Sequence, residues 1–356
     1  MRHLLNILDF TTEEIAQLIS VASDIMDNPD KYNEACKHKT LATLFFEPST
    51  RTRLSFESAM LSLGGSVLGF SSASSSSSSK GESVSDTISV VSGYVDIIAM
   101  RHPKEGAPYV AKDKSLVPIV NAGDGGHYHP TQTLADLLTI YRKKGRVDNL
   151  TIGLVGDLKY GRTVHSLIEA MSRYEGISFV LISPDELKLP DFVKDEFITA
   201  KGIKCEESTS LEDSISKVDV LYMTRIQQER FLDRAEYERL KDVYVLDTDK
   251  MALAKPDCIV LHPLPRVNEI SVKVDSDPRA CYFEQTRCGK FIRMALILKL
   301  LAEKDLADTT EQKATFVAGH PCKNPHCIST TEQELESLAY TDGKGVKRCA
   351  YCDAEI

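Results

Sequence analysis

Several features are missing from this chain of 356 residues. No stretch approaches the roughly 18 uninterrupted apolar residues a membrane span requires, and the start, MRHLLNILDFTTEE, lacks the apolar core of a secretory signal. A membrane or secreted protein is therefore not expected, and a cytoplasmic one is. Positive charge is also short, with 43 Lys and Arg against 52 Asp and Glu and a net charge of -9. General attraction to nucleic acid or anionic lipid is disfavoured, so an anionic ligand must be held by a local cationic cluster. No G-x-x-x-x-G-K-[ST] loop is present. Gly153, Gly156 and Gly161 do not give G-x-G-x-x-G, because Gly153 lies inside an apolar run and not in the turn after it. A P-loop kinase and a dinucleotide enzyme thus lose their usual signatures.

Apolar residues are ample at 42% hydrophobic, enough for two lobes and an appendage. Thr11 and Glu14 form a capping box ahead of Ile15, Leu18, Ile19, Ala22 and Met26, whose spacing marks one buried helix face. Short apolar runs then alternate with helical patterns: LATLFF (41–46), DIIAM (96–100) and VPIV (117–120), then LTIGLVG (150–156), ISFVLI (177–182), VDVLYM (218–223), VYVLD (243–247) and CIVLH (258–262). That rhythm predicts an α/β fold of two open parallel-sheet lobes. Helices from about Thr131 to Lys144 and from Thr286 to Lys304 are expected to bridge them, the second being apolar around much of its circumference. The serine tract SSASSSSSSKGES (71–83) predicts a mobile loop.

Polar clusters follow the apolar runs directly: EPSTRTR, RHP, NAGDGGHYHPTQ, DLKYGRT, TRIQ and PLPR. The carboxyl edge of an open α/β sheet is where ligands bind. Ser49, Thr50, Arg51, Thr52 and Arg53 open a helix, where hydroxyls, free backbone N–H groups and a guanidinium make a phosphate cradle. Arg162 with Thr163, and Arg225 with Gln227, repeat the logic, and two separated arginines suit a dicarboxylate. His127 and His129 form an H-x-H without further ligands at a helpful spacing, so His129 is read as a hydrogen-bond donor and not as a metal ligand.

In order along the chain stand F-x-E-P-S-T-R-T-R, M-R-H-P, H-P-T-Q-x-L-x-D, G-D-L-K-Y-G-R-T-V-H-S-L, Y-M-T-R-I-Q-x-E-R and L-H-P-L-P-R. Over roughly residues 1 to 305 the sequence resembles the catalytic chains of the aspartate carbamoyltransferase family. The last motif reads His262-Pro263-Leu264-Pro265 where ornithine enzymes have H-C-L-P, and Arg225 would repel an ornithine ammonium; both favour aspartate. The resemblance implies carbamoyl transfer from carbamoyl phosphate to the amine of aspartate, the committed step of pyrimidine biosynthesis, with no redox or nucleotide cofactor. It implies that Ser49, Thr50, Arg51 and Thr52 hold the phosphate and that Arg101 bridges phosphate and carbamoyl oxygen. His129 and Thr52 would donate to that oxygen, while Gln132 and the carbonyls of Leu264 and Pro265 accept from the carbamoyl NH2. Arg162, Arg225 and Gln227 would fix aspartate. Ser76 and Lys80 would reach into a neighbouring subunit's site in a homotrimer, with room for a higher assembly.

The domains implied are 1–145 for carbamoyl phosphate with a returning helix at 286–305, 146–285 for aspartate, and 306–356 for a connector and zinc module. Cys322, Cys327, Cys349 and Cys352 read C-x4-C-x21-C-x2-C, two close pairs suited to a closed tetrahedral zinc site. So short a segment needs such a staple. CKNPHCIS and RCAYC resemble the zinc domain of the family's regulatory chain, yet only the connector precedes them, leaving no room for a nucleotide-binding domain. Acidic residues outnumber basic ones beyond Leu306, which argues against nucleic-acid binding and for an assembly role. The rival readings are transfer to another amine, and a catalytically silent scaffold.

Overall fold

The structure is a computed structural model that describes residues 1–226, 244–304 and 316–356. The chain divides into two compact units, Met1–Thr131 with Lys290–Ile356, and Gln132–Gly289.

In the first unit, α1 (Thr12–Asp27) begins with the expected capping box and buries Ile15, Leu18, Ile19, Ala22 and Ile25. It precedes a parallel sheet of β1 (Thr40–Phe45), β2 (Ser66–Phe70), β3 (Ile97–His102) and β4 (Ile119–Asp124), ordered β2-β1-β3-β4. Helices α2 (Thr50–Ser62), α3 (Val84–Val91) and α4 (Ala107–Lys114) make the crossovers. β3 and β4 run past the apolar cores read from sequence, because Arg101 and Asn121 continue the ladder with their backbones. β2 was not foreseen: SVLGF is an edge strand whose Ser66, Leu68 and Gly69 are exposed, so it carries no long apolar run. The serine tract folds into two 3-10 turns, Ala73–Ser75 and Ser77–Lys80, with the hydroxyls of Ser75, Ser76 and Ser79 donating to nearby carbonyls.

The C-terminal residues of this unit form a small antiparallel sheet, β10 (Val317–Ala318), β11 (Leu338–Thr341) and β12 (Lys347–Cys349). Its cysteines are not a separate core. Cys327, Ile328, Cys349, Tyr351 and Cys352 share one apolar cluster with Leu44, Val84, Ile88, Met100 and Val110.

The second unit is a parallel sheet of β5 (Thr151–Val155), β6 (Ser178–Ile182), β7 (Lys204–Ser208), β8 (Val220–Met223) and β9 (Ile259–Leu261), ordered β7-β6-β5-β8-β9. The edge strand β7, KCEES, is too polar to announce itself. The run VYVLD, expected as a strand, lies partly outside the described residues, and from Tyr244 it makes only an isolated bridge from Leu246 to Ile270. It is apolar because Tyr244 and Leu246 belong to the core of this unit, not because it pairs in the sheet.

The divisions between the units fall inside α5 (Pro130–Lys144) and inside the helix Tyr282–Ala302. In the latter, Ile292 to Ile297 are six consecutive buried residues, apolar except for Arg293. Among the described residues, no helix is long and apolar enough to cross a membrane.

Candidate active site

The polar residues of the first unit gather at the carboxyl ends of β1, β3 and β4. After β1 the chain passes Glu47 and Pro48 to Ser49, the N-cap of α2, whose hydroxyl makes no capping bond. The first turn of α2 contains no acidic side chain, so its free N–H groups and positive dipole end carry no built-in anion. Of the two arginines there, Arg53 is drawn back to Glu57 at 3.5 Å on the same helix. Arg51 keeps to the neighbourhood of Arg101: partial removal from water, and then the like charge of Arg101, lower its pKa below the ordinary arginine value. An oxyanion between them would relieve both penalties.

Arg101, at the end of β3, is held by Glu47, with Nη2 2.7 Å from Oε2. Its Nε is buried with no hydrogen-bond acceptor among the described residues, a donor suited to an incoming oxygen. Gly123, at φ +119, makes the space for this side chain, since a Cβ there would stand 2.8 Å from Arg101 Nη1 and 3.4 Å from His129 Cδ2. The sequence shows Gly123 only as one glycine of a turn-rich run. His129 is 6% exposed, with Nδ1 3.5 Å from Thr131 Oγ1. Arg293 was not singled out from sequence, yet it reaches Ser55 of α2 at 3.0 Å and Thr131 at 3.5 Å, and lies over the Phe56 ring.

His127 lies between two carboxylates. Its Nδ1 is 3.0 Å from Asp124 and its Nε2 2.9 Å from Asp353. Burial opposes its charge, but the two carboxylates prevail and hold its pKa well above the usual histidine value.

In the second unit a buried hydrogen-bond network links three of the sequence motifs. Gln132 Nε2 donates to Asp136 at 2.8 Å, which leaves its carbonyl oxygen as a free-standing acceptor type. Asp136 also receives Tyr222 Oη at 3.1 Å and Gln285 Nε2 at 2.6 Å, while Gln285 Oε1 accepts from the His262 backbone at 2.9 Å. His262 Nδ1 accepts from Leu264 N at 2.8 Å, so its proton is on Nε2 and is donated to Glu269 at 2.7 Å. Burial raises the Glu269 carboxyl, but the bonds from His262 and from backbone N–H groups leave it below its usual value. Glu269 thus pins the turn that carries Leu264, at φ +52, and Pro265, a residue role the sequence reading missed.

Arg162 is the first residue of α6 (Arg162–Met171), and His165 on the same helix holds the preceding loop through the Leu158 carbonyl at 2.8 Å. Arg225 follows β8 and is half-buried, beyond Thr224, whose hydroxyl bonds Val155 and Asp157. Gly156, φ +107, permits this approach: a Cβ there would meet the Thr224 carbonyl oxygen at 2.6 Å. Gln227 lies outside the described residues.

Comparison with known proteins then supplies the family. The family described as aspartate/ornithine carbamoyltransferase, carbamoyl-P binding domain, matches residues 2–142, and its Asp/Orn binding domain matches residues 148–300. The chain belongs to the aspartate/ornithine carbamoyltransferase family.

Among carbamoyltransferases, the aspartate carbamoyltransferase catalytic subunit of Clostridium novyi is 64% identical over 300 residues, covering 84% of this chain and 98% of the relative. That of Lachnoclostridium phytofermentans is 61% identical over 301 residues, covering 85% and 98%. The catalytic subunit of M. jannaschii aspartate transcarbamoylase superposes with a TM-score of 0.80 at 48% identity, over 85% of this chain and 99% of that one. The Trypanosoma cruzi aspartate transcarbamoylase in complex with carbamoyl phosphate and aspartate gives 0.79 at 41%, over 84% and 96%.

The carbamoyltransferase match stops at residue 300, so the four-cysteine module lies beyond it. Cys322, Cys327, Cys349 and Cys352 place their sulfurs within 4.8 Å of one another, a group that could hold a metal ion. The pairs Cys322–Cys352 and Cys327–Cys349 stand 3.6 and 3.7 Å apart. A tetrahedron of sulfurs at the usual metal–thiolate bond length has edges of ~3.8 Å, close to the separation within these two pairs.

Proposed function

We propose that this carbamoyltransferase is specific for aspartate: it transfers the carbamoyl group of carbamoyl phosphate to the amine of L-aspartate, giving N-carbamoyl-L-aspartate and phosphate, the committed step of pyrimidine biosynthesis. The observation that carries the reading is the uncapped, acid-free N-terminus of α2 with Arg51 beside Arg101, an anion-binding corner in a family member. The relatives named as aspartate enzymes support the choice of acceptor, as does Arg225, a cation suited to a side-chain carboxylate.

In this reading Ser49, Thr50, Arg51 and Thr52 bind the phosphate, and Arg101 spans phosphate and carbamoyl oxygen. His129 and Thr52 donate to that oxygen. Gln132, its amide nitrogen committed to Asp136, offers its oxygen to the carbamoyl NH2 together with the carbonyls of Leu264 and Pro265. Arg162, Arg225 and Gln227 hold the carboxylates of aspartate, and its amine attacks the carbonyl carbon. The tetrahedral oxyanion is stabilised by donors already in place, each typically worth ~3 kcal/mol. Collapse expels phosphate, and ordering of two substrates supplies much of the remaining rate. No covalent intermediate and no redox cofactor is needed.

In the same reading carbamoyl phosphate is bound by residues 1–145 and the returning helix 286–305, aspartate by 146–285, and 306–356 serves as connector and zinc module. Four thiolates in a closed set select zinc as a structural ion, which ties the module's folding to metal binding. Its likeness is to the zinc domain of the family's regulatory chain. Ser76 and Lys80 complete a neighbouring subunit's site in a homotrimer, working in the cytoplasm.

Purified protein given carbamoyl phosphate should form carbamoylaspartate with aspartate and no product with ornithine. Absence of carbamoylaspartate would reject the assignment and leave the scaffold reading; product from ornithine would move it to another amine.

A further inference from the structure

Within the first unit, the four-cysteine module grips the rest of that unit at three places that matter for the chemistry. The Glu332 carboxylate accepts from the N–H groups of Val84 and Ser85 at 3.1 and 2.9 Å, capping α3 just after the serine-rich turns. Glu105, four residues past Arg101, exchanges backbone hydrogen bonds with His326 and Ile328 at 2.8 and 2.9 Å. The third grip is Asp353, which directly follows Cys352. One oxygen of Asp353 receives His127 Nε2 at 2.9 Å and Tyr128 Oη at 3.0 Å, and the other receives Tyr340 Oη at 2.8 Å.

From His127 the chain of contacts continues inward. Its Nδ1 meets Asp124 at 3.0 Å, and the same carboxylate accepts from Gly106 N at 2.9 Å, Asn121 Nδ2 at 2.9 Å and Tyr128 N at 3.0 Å. Asp124 N in turn donates to the Tyr128 carbonyl at 3.2 Å. The turn 124–128 is therefore closed by Asp124, clamped from outside by Asp353, and followed at once by His129. Rigid placement of that histidine depends on groups that belong to two segments more than two hundred residues apart.

We propose that His127 is a positioning residue for carbamoyl transfer, pinned by Asp353 so that the four-cysteine module of the same chain sets the turn presenting His129. The proposal rests on the role given to His129 above. It makes the module a fixed support of the carbamoyl side, so that the state of the cysteines is felt at His129.

The test uses the full-length, metal-loaded chain carrying His127→Ala, Asp353→Asn or both, with metal content measured for each. Amide hydrogen exchange of residues 124–131 and steady-state kinetics are read together. Each single variant is expected to exchange about tenfold faster in that segment. Each should also lose about tenfold in kcat with KM for aspartate changed less than about twofold. The double variant should be no worse than His127→Ala alone, because both changes break one link. Unchanged exchange in 124–131, additive losses in the double variant, or kcat and KM moving together would overturn the proposal. Asp353→Asn approaches the link from its other end should His127→Ala fold poorly. His129→Ala, run alongside, should keep native exchange and lose kcat by about a hundredfold. If instead its kcat is intact, the role of His129 fails, and the exchange data still decide whether the pin exists.

Discussion

Arg51 and Arg101 are two cations brought together with one carboxylate, Glu47, between strand and helix. Such a pair is held at a cost that an anion would offset. Arg51→Ala should lower kcat by ~10²–10³, as loss of a charged donor to the transition state does. Arg162→Ala and Arg225→Ala should mainly raise KM for aspartate. Steady-state kinetics in both substrates check the division, and three equal, mild effects would refute it. His102 gives a second residue-level prediction. Burial lowers its pKa from 6.5 to about 4, with the bond from Lys104 N to Nδ1 also marking the neutral ring. The unfolded chain takes up its proton near 6.5 and the folded one only near 4, so this stability is complete above pH 6.5 and is lost as pH falls toward 4. The loss amounts to ~3 kcal/mol. Urea unfolding of His102→Asn, which keeps an acceptor, should show a shallower decline between pH 7 and 4.5 than the parent; an identical decline would contradict the burial argument. At this scale the motif letters were legible, but their division of labour was not. Arg51 and Arg53 look equivalent in S-T-R-T-R, and only the helix turn sends Arg53 to Glu57.

Elements were legible wherever burial on both faces made a strand continuously apolar, as in β1, β5 and β6. Edge strands β2 and β7 escaped because one side faces water and most of their residues are polar or exposed. The described part of VYVLD, from Tyr244, misleads in the opposite way, because Tyr244 and Leu246 are buried in the core without forming a strand. Turns at strand ends carry a different lesson, visible at Gly123. Gly123→Ala should destabilise by ~1–3 kcal/mol through its left-handed backbone alone. It should also lower kcat about tenfold by pushing against the Arg101 guanidinium. Urea midpoints and kinetics measure the two parts, and a variant with parental kcat would show that Arg101 has other room. No sequence pattern distinguishes this glycine from Gly125 or Gly126, since the close approach involves a side chain from a different strand.

For the molecule as a whole, the cysteine module shares its apolar cluster with β1, β3, α3 and α4 of the first unit. Chelation should therefore lower the thermal midpoint and speed amide exchange around Glu105 and Asp124, while β5 to β9 keep their protection. One zinc per chain is expected by metal analysis; metal-free protein with unchanged exchange would make the cysteines incidental. Subunit mixing tests the proposed trimer: Arg51→Ala and Lys80→Ala chains, each inactive alone, should regain partial activity as hybrids. Verified hybrids without activity would remove Lys80 from a shared site.

By itself the sequence determined the α/β alternation, the family, and the residue types at the strand ends, because each is written in neighbours a few positions apart: hydrophobic period, helix start and ordered motif. Only the tertiary structure decided that Gln132, Tyr222, Gln285 and His262 meet around Asp136, that Gly123 clears Arg101, and that Asp353 closes on His127. These contacts join residues far apart in the chain, and their partners are chosen by which surfaces pack together, a choice that no local spacing records.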